Sequence, residues 1–194
     1  MRVIAGKKRG MKLSGFEGEA IRPTADRVKE NMFNLIAPHV ADAEVLDLFA
    51  GTGALSIEAL SRGAAHAVLC EQARSSLGII RKNVEKTGFL EQCSIVEGDC
   101  FGFLARNYKK FNLIFLDPPY NTGMLLKALR MIGRGSCLAA GGVVVAECDG
   151  PERPGEIAGL TLIKERRYGR TYILIYMADG RESVYEDSGI SGQL

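Results

Sequence analysis

The sequence predicts an α/β fold: a doubly wound, mostly parallel sheet with helices on both faces and an antiparallel edge. Three observations predict it. From residue 44 onward, short apolar runs alternate with helical patterns, as strand–helix–strand units do. Those runs are apolar at nearly every position, as strands covered on both faces must be. Near the end, two apolar runs are separated only by Tyr168-Gly169-Arg170, a turn too short for any but an antiparallel pair.

The elements follow in order. Residues 1–13 read as a hairpin in which Gly6 and Gly10 bracket the basic turn Lys7-Lys8-Arg9. After an irregular stretch ending in Arg22-Pro23, Thr24 reads as an N-cap and Asp26 as a first-turn acid. Val28, Met32, Leu35 and Ile36 make one apolar stripe, so residues 25–37 form an amphipathic helix stopped by Pro38. Strands are expected at 45–50, 67–71, 93–97, 111–116 and 142–148. Helices are expected between them at about 53–62, 73–87, 100–107 and 122–133. Residues 160–166 and 171–177 form the terminal antiparallel pair. Residues 1–178 are read as one domain carrying a basic extension over 1–23, and 179–194 as a loose tail without apolar periodicity.

Composition excludes several classes. With 194 residues and 46% apolar content, the chain suffices for one globular core. It has no apolar run long enough to span a membrane and no secretory leader, so a cytoplasmic protein is expected. Cys70, Cys93, Cys100, Cys137 and Cys148 are odd in number and lack a CxxC pair, so reduced thiols and no metal site are expected. The net charge of +2 conceals an uneven distribution. Arg2, Lys7, Lys8, Arg9 and Lys12 crowd the first twelve residues, and Lys164, Arg166, Arg167 and Arg170 crowd the last strands. Two basic patches suit a polyanion partner.

Two constellations carry chemistry. The first runs from Asp47 through Gly51-Thr52-Gly53 at a strand–helix turn, where glycines let backbone approach a ligand. Glu71 closes the second strand, where an acid accepts ribose hydroxyls, and Asp99 follows the third. A nucleoside cofactor is implied. Ser56 at the third small position weakens, without excluding, a dinucleotide.

The second constellation is Asp117-Pro118-Pro119-Tyr120, after the fourth strand. Ligand chemistry in open parallel sheets occurs at that edge. The prolines stiffen the backbone and remove two N–H donors. The Asp117 carboxylate, the Pro118 carbonyl and the Tyr120 ring remain, and they suit a planar base carrying an NH2 group. Holding both amine hydrogens frees the nitrogen lone pair for attack on a methyl sulfonium. An aspartate offers two acceptors side by side, matching guanine N1–H and N2–H rather than adenine.

At these residues the chain resembles class I methyltransferases, and most closely the RsmD family, bacterial enzymes that methylate guanine N2 of 16S ribosomal RNA. The resemblance is carried by Arg2 to Gly6 with the basic turn, Arg22 to Glu30, Asp47 to Gly53, Asp117 to Tyr120, and Tyr168-Gly169-Arg170. It implies a seven-stranded Rossmann-like methyltransferase sheet whose last strand is antiparallel. It implies S-adenosyl-L-methionine held by Asp47, Gly51, Thr52, Gly53, Glu71, Asp99 and the Cys100 backbone, with Asp117 to Tyr120 holding the target base. Lys7, Lys8 and Arg9 are then expected on phosphate, with Arg22 and Thr24 closing over the site. The expected partner is ribosomal RNA or a small-subunit assembly intermediate, and the expected oligomeric state is a monomer. Competing readings are amino-methylation of DNA adenine or a protein glutamine, an NAD-linked dehydrogenase, and a noncatalytic RNA-binding module.

Overall fold

The computed structural model describes residues 1–16 and 23–179. Its seven strands are β1 (Glu44–Asp47), β2 (His66–Glu71), β3 (Cys93–Glu97), β4 (Phe111–Leu116), β5 (Leu138–Asp149), β6 (Leu160–Tyr168) and β7 (Thr171–Ala178). They form one sheet of order β3-β2-β1-β4-β5-β7-β6. The order reverses at β1, so a crevice opens between the carboxyl ends of β1 and β4. The first five strands are parallel, and β7 lies antiparallel between β5 and β6.

Five α-helices cover the sheet: α1 (Pro23–Leu35), α2 (Ala54–Ser61), α3 (Arg74–Thr87), α4 (Cys100–Arg106) and α5 (Met124–Arg134). Side-chain alternation divides the core in two. Val45, Leu113, Phe115 and Val145 face α1, α2 and α3. Leu46, Ile114, Leu116 and Ala146 face α4 and α5. Burial of both faces explains why these strands are apolar throughout.

The expected stripe on α1 is present, with Met32 and Ile36 buried and Val28 and Leu35 partly so. Phe33 joins it, its ring 5.6 Å from that of Phe115. One expectation fails here. Thr24 lies within α1 (Pro23–Leu35) rather than ahead of it.

The N-terminal hairpin is closed by backbone bonds, the Val3 N–H donating to the Met11 carbonyl at 2.9 Å, the Gly10 N–H to the Val3 carbonyl at 2.8 Å and the Leu13 N–H to the Met1 carbonyl at 3.1 Å. Arg2 and Lys12 make one antiparallel bridge, and Gly6–Lys8 is a turn of 3-10 helix. The hairpin is tied to the domain by Glu58, a fully buried carboxylate on α2. It accepts the Ile4 and Ala5 N–H groups at 2.7 and 3.0 Å. It also pairs with Lys29 of α1 at 3.3 Å and Arg62 at 2.8 Å. Gly6 seals the far end: its φ is +80°, and a β-carbon there would lie 1.8 Å from the Ser61 carbonyl oxygen. No other residue fits.

Glu58→Ala leaves Lys29 buried with the Arg2 carbonyl but without its carboxylate, and leaves the Ile4 and Ala5 amides unsatisfied. The expected loss is about 3–5 kcal/mol of unfolding free energy, from the removal of one member of a buried pair. Urea unfolding followed by circular dichroism measures it; a loss below about 1 kcal/mol contradicts the assignment.

Candidate active site

At the carboxyl edge of the sheet the chain turns sharply after β1. The Gly51 N–H donates to Glu71 Oε2 at 2.9 Å, and Glu71 Oε1 accepts the Gln72 and Ala73 amides, each at 2.8 Å. Glu71 therefore binds the turn after β1 to the turn after β2. Gly53 enters α2 at φ +77°, where a β-carbon would sit 3.2 Å from Leu69 Cδ2. The glycine lets α2 pack closely on β2.

Behind this turn stands Asp47, buried, with Oδ2 accepting the Ser56 hydroxyl at 3.0 Å. Burial, with a smaller contribution from the Glu71 charge, pushes its carboxyl up to about 6. The Thr52 carbonyl accepts the Asn83 side-chain amide at 2.9 Å. That same side chain holds the Ser14 N–H and carbonyl at 2.7 and 3.0 Å. Asp99 caps α4 by accepting the Gly102 N–H at 2.8 Å.

A cavity of about 620 Å³ opens here, a size suited to a nucleoside ligand. Gly51, Glu71, Asp99 and Cys100 line it, together with Asp117, Pro118, Pro119 and Tyr120. The two predicted constellations thus share one cavity. Asp47, Thr52 and Gly53 are not on its wall; they hold the turn from behind. Cys100 presents a thiol that burial pushes up to about 11, so it is neutral near pH 7.

Asp117 opens into the cavity. Desolvation by the surrounding protein, then the charges of Glu147 and Asp47, raise its carboxyl well above the usual range. Tyr120 donates its hydroxyl to Glu147 Oε1 at 2.7 Å. Burial and this bond to an acceptor raise the phenol as well. The loop is braced by the Thr122 hydroxyl, which donates to the Pro119 carbonyl at 2.7 Å. Asn121 takes left-handed backbone, φ 60°, a conformation asparagine tolerates better than most residues.

The basic residues divide between the two ends of the sheet. Lys7, Lys8 and Arg9 do not lie at the cavity. They sit at the far end of α2, where the Lys8 N–H donates to the Ser61 hydroxyl at 2.9 Å. An eight-residue helix separates them from the Gly53 turn, about 12 Å at 1.5 Å per residue. The β6–β7 turn is at the cavity end, because Thr171 pairs with Asp149 at the close of β5. Arg166, Arg167 and Arg170 are exposed there. Arg22 lies outside the described residues, and Thr24 is placed only as a turn of α1.

Several wall residues carried no motif. Phe16 reaches the cavity from the irregular stretch after the hairpin, and Ser76 and Met124 line it too, beside Leu48 and Phe49 of the Asp47-to-Gly53 motif. Glu147 had a legible signal: a lone acid near the carboxyl end of an apolar strand, the same signature that marks Glu71.

Known proteins agree with this architecture. Residues 1–177 match the family described as Conserved hypothetical protein 95. Ribosomal RNA small subunit methyltransferase D of Escherichia coli is 34% identical over 184 residues, 93% of this chain and 91% of its own length. The protein of that name from Haemophilus influenzae is 32% identical over 179 residues, 91% of this chain and 93% of its length. A solved Escherichia coli protein, named as a candidate methyltransferase, superposes with a TM-score of 0.84 at 34% identity over 93% of this chain and 99% of its own. A family match over residues 1–177 and identity along nearly the whole length make one conclusion: the chain belongs to the ribosomal RNA small subunit methyltransferase D family.

Proposed function

We propose that this protein transfers a methyl group from S-adenosyl-L-methionine to the exocyclic N2 of a guanine in 16S ribosomal RNA. One observation carries the reading: Asp117 and the Gly51–Glu71 turn face the same cavity. The cavity fits the cofactor chemically. Glu71 and Asp99 are acceptors for ribose hydroxyls and an adenine amine, Leu48 and Phe49 offer apolar walls, and the carboxylates suit a cation. When bound, S-adenosyl-L-methionine supplies an electrophilic methyl and leaves as a neutral thioether.

The chain's own residues do the rest. Asp117 and the Pro118 carbonyl accept the amine hydrogens, which fixes N2 and withdraws its lone pair from the ring. Tyr120 offers its ring as a stacking wall. After transfer the nitrogen holds one proton too many, and the Asp117 carboxylate is positioned to take it. Its raised affinity for a proton favours that step.

The target base must leave its stack to enter, which costs least in a loop. RNA approaching the cavity edge meets Arg166, Arg167 and Arg170 first. Lys7, Lys8 and Arg9 reach phosphates farther along, on the other side of α2. Such contacts position the RNA without reading its sequence.

Asp117→Ala is expected to lower the transfer rate at least about 100-fold, the scale of one preorganised acceptor. Binding of S-adenosyl-L-methionine, measured by calorimetry, should stay within about threefold, under 1 kcal/mol. Radiolabelled methyl transfer compared across 16S RNA, DNA and protein tests the acceptor; full activity of Asp117→Ala rules out the base-holding role.

The raised Asp117 carboxyl has a sign. Only its ionised form can accept the amine hydrogen and later take the proton, so activity falls as pH drops through its folded pKa. The acid limb of the single-turnover profile should therefore stand above the ordinary aspartate value of about 3.9. An acid limb at or below that value contradicts the electrostatics described here.

Removing Arg166 and Arg167 together should flatten the salt dependence of RNA binding by about 1.4 to 1.8 in log–log slope, one phosphate each. The methylated nucleotide should not change. An unaltered slope places the RNA elsewhere.

A further inference from the structure

Strand β5 is apolar from Val143 to Ala146 and then carries Glu147. It pairs in parallel with β4, Leu116 opposite Ala146. One step onward the register sets Asp117 beside Glu147, so neighbouring strands bring two carboxylates to the same edge. Glu147 does not line the cavity. It meets the site through Tyr120, whose hydroxyl it accepts at 2.7 Å.

That contact, with the Thr171 side chain beside the phenol, fixes the ring. Tyr120 is 41% exposed and sits in the loop that leads to α5. The charged and titratable groups facing Glu147 are Tyr120 in that loop and Asp117 at the end of β4, with Asp47 of β1 behind Asp117. Its register partner on β7 is the apolar Ile173. A bare carboxylate in such a place is costly unless a donor satisfies it, and the Tyr120 hydroxyl does so.

We propose that Glu147 is a positioning residue for methyl transfer: it anchors Tyr120 as a fixed wall of the base pocket and sets a second carboxylate behind Asp117. The inference deepens the amino-methylation reading above and rests on it. Glu147 touches neither base nor cofactor. It acts through Tyr120 by a hydrogen bond and on Asp117 by charge. The two effects are separable, because glutamine keeps an oxygen acceptor for the phenol but carries no charge, whereas alanine supplies neither.

The test uses the full chain as wild type, Glu147→Gln and Glu147→Ala. Carbon-13 NMR of the Asp117 carboxyl, assigned with Asp117→Asn, follows its titration. A neighbouring negative charge makes protonation easier, so removing it should move the Asp117 midpoint down by roughly one pH unit in both variants. The acid limb of methyl transfer should move down with it. Glu147→Gln should keep the wild-type KM for RNA, while Glu147→Ala should raise it about tenfold, the scale of one lost hydrogen bond. A merely structural role would move neither the titration nor the contrast between the two variants. An unmoved Asp117 midpoint in Glu147→Gln, or equal KM values in the two variants, overturns the inference. Failure of the wider reading looks different: the wild-type chain then methylates no RNA, whereas the Asp117 titration still decides whether Glu147 governs its neighbour.

Discussion

The hydrogen bond from the Gly51 amide to the Glu71 carboxylate is the constraint on which the site depends. It joins the turn after β1 to the end of β2 and so sets the floor of the crevice. Glu71 accepts three backbone amides in all. A carboxylate so engaged is held in one orientation. Gly53 then admits α2 against β2, and the cavity mouth takes its shape from that close approach.

The electrostatics of this edge follow from topology. Strands β1, β2, β4 and β5 all run the same way, so Asp47, Glu71, Asp117 and Glu147 arrive together. Burial raises Asp47, Asp117 and Glu147, and neighbouring carboxylate charge adds to the rise at Asp47 and Asp117. Each has a distinct way of tolerating it. Asp47 takes the Ser56 hydroxyl, Glu147 takes the Tyr120 phenol, and Asp117 faces the cavity. A site of this kind favours a cationic ligand beside an amine donor, which is the chemistry proposed.

The N-terminal segment belongs to the same unit. Glu58 anchors Ile4 and Ala5, and Asn83 ties Ser14 to the Thr52 carbonyl. Through these contacts the chain returns from the basic turn to deliver Phe16 to the cavity. The hairpin, closed by its own backbone bonds, is thus docked by buried polar groups on α2 and α3. Removing those groups would reach the cavity wall as well as the hairpin.

By itself the sequence determined the alternation of strands and helices, the antiparallel close, and the two motifs that meet in the cavity. These are local properties: apolar period, glycine turns and a Pro-Pro pair state their geometry over a few residues. Third-dimension pairing alone decided the rest. It put Glu147 beside Asp117 across strands thirty residues apart in the chain. It set Asp47, Thr52 and Gly53 behind the wall rather than on it, and carried Lys7, Lys8 and Arg9 to the opposite end of α2 while the β6–β7 arginines took the cavity edge. Which side of a turn a residue faces, and which end of a helix a hairpin reaches, depend on packing between segments distant in sequence; no local pattern encodes them.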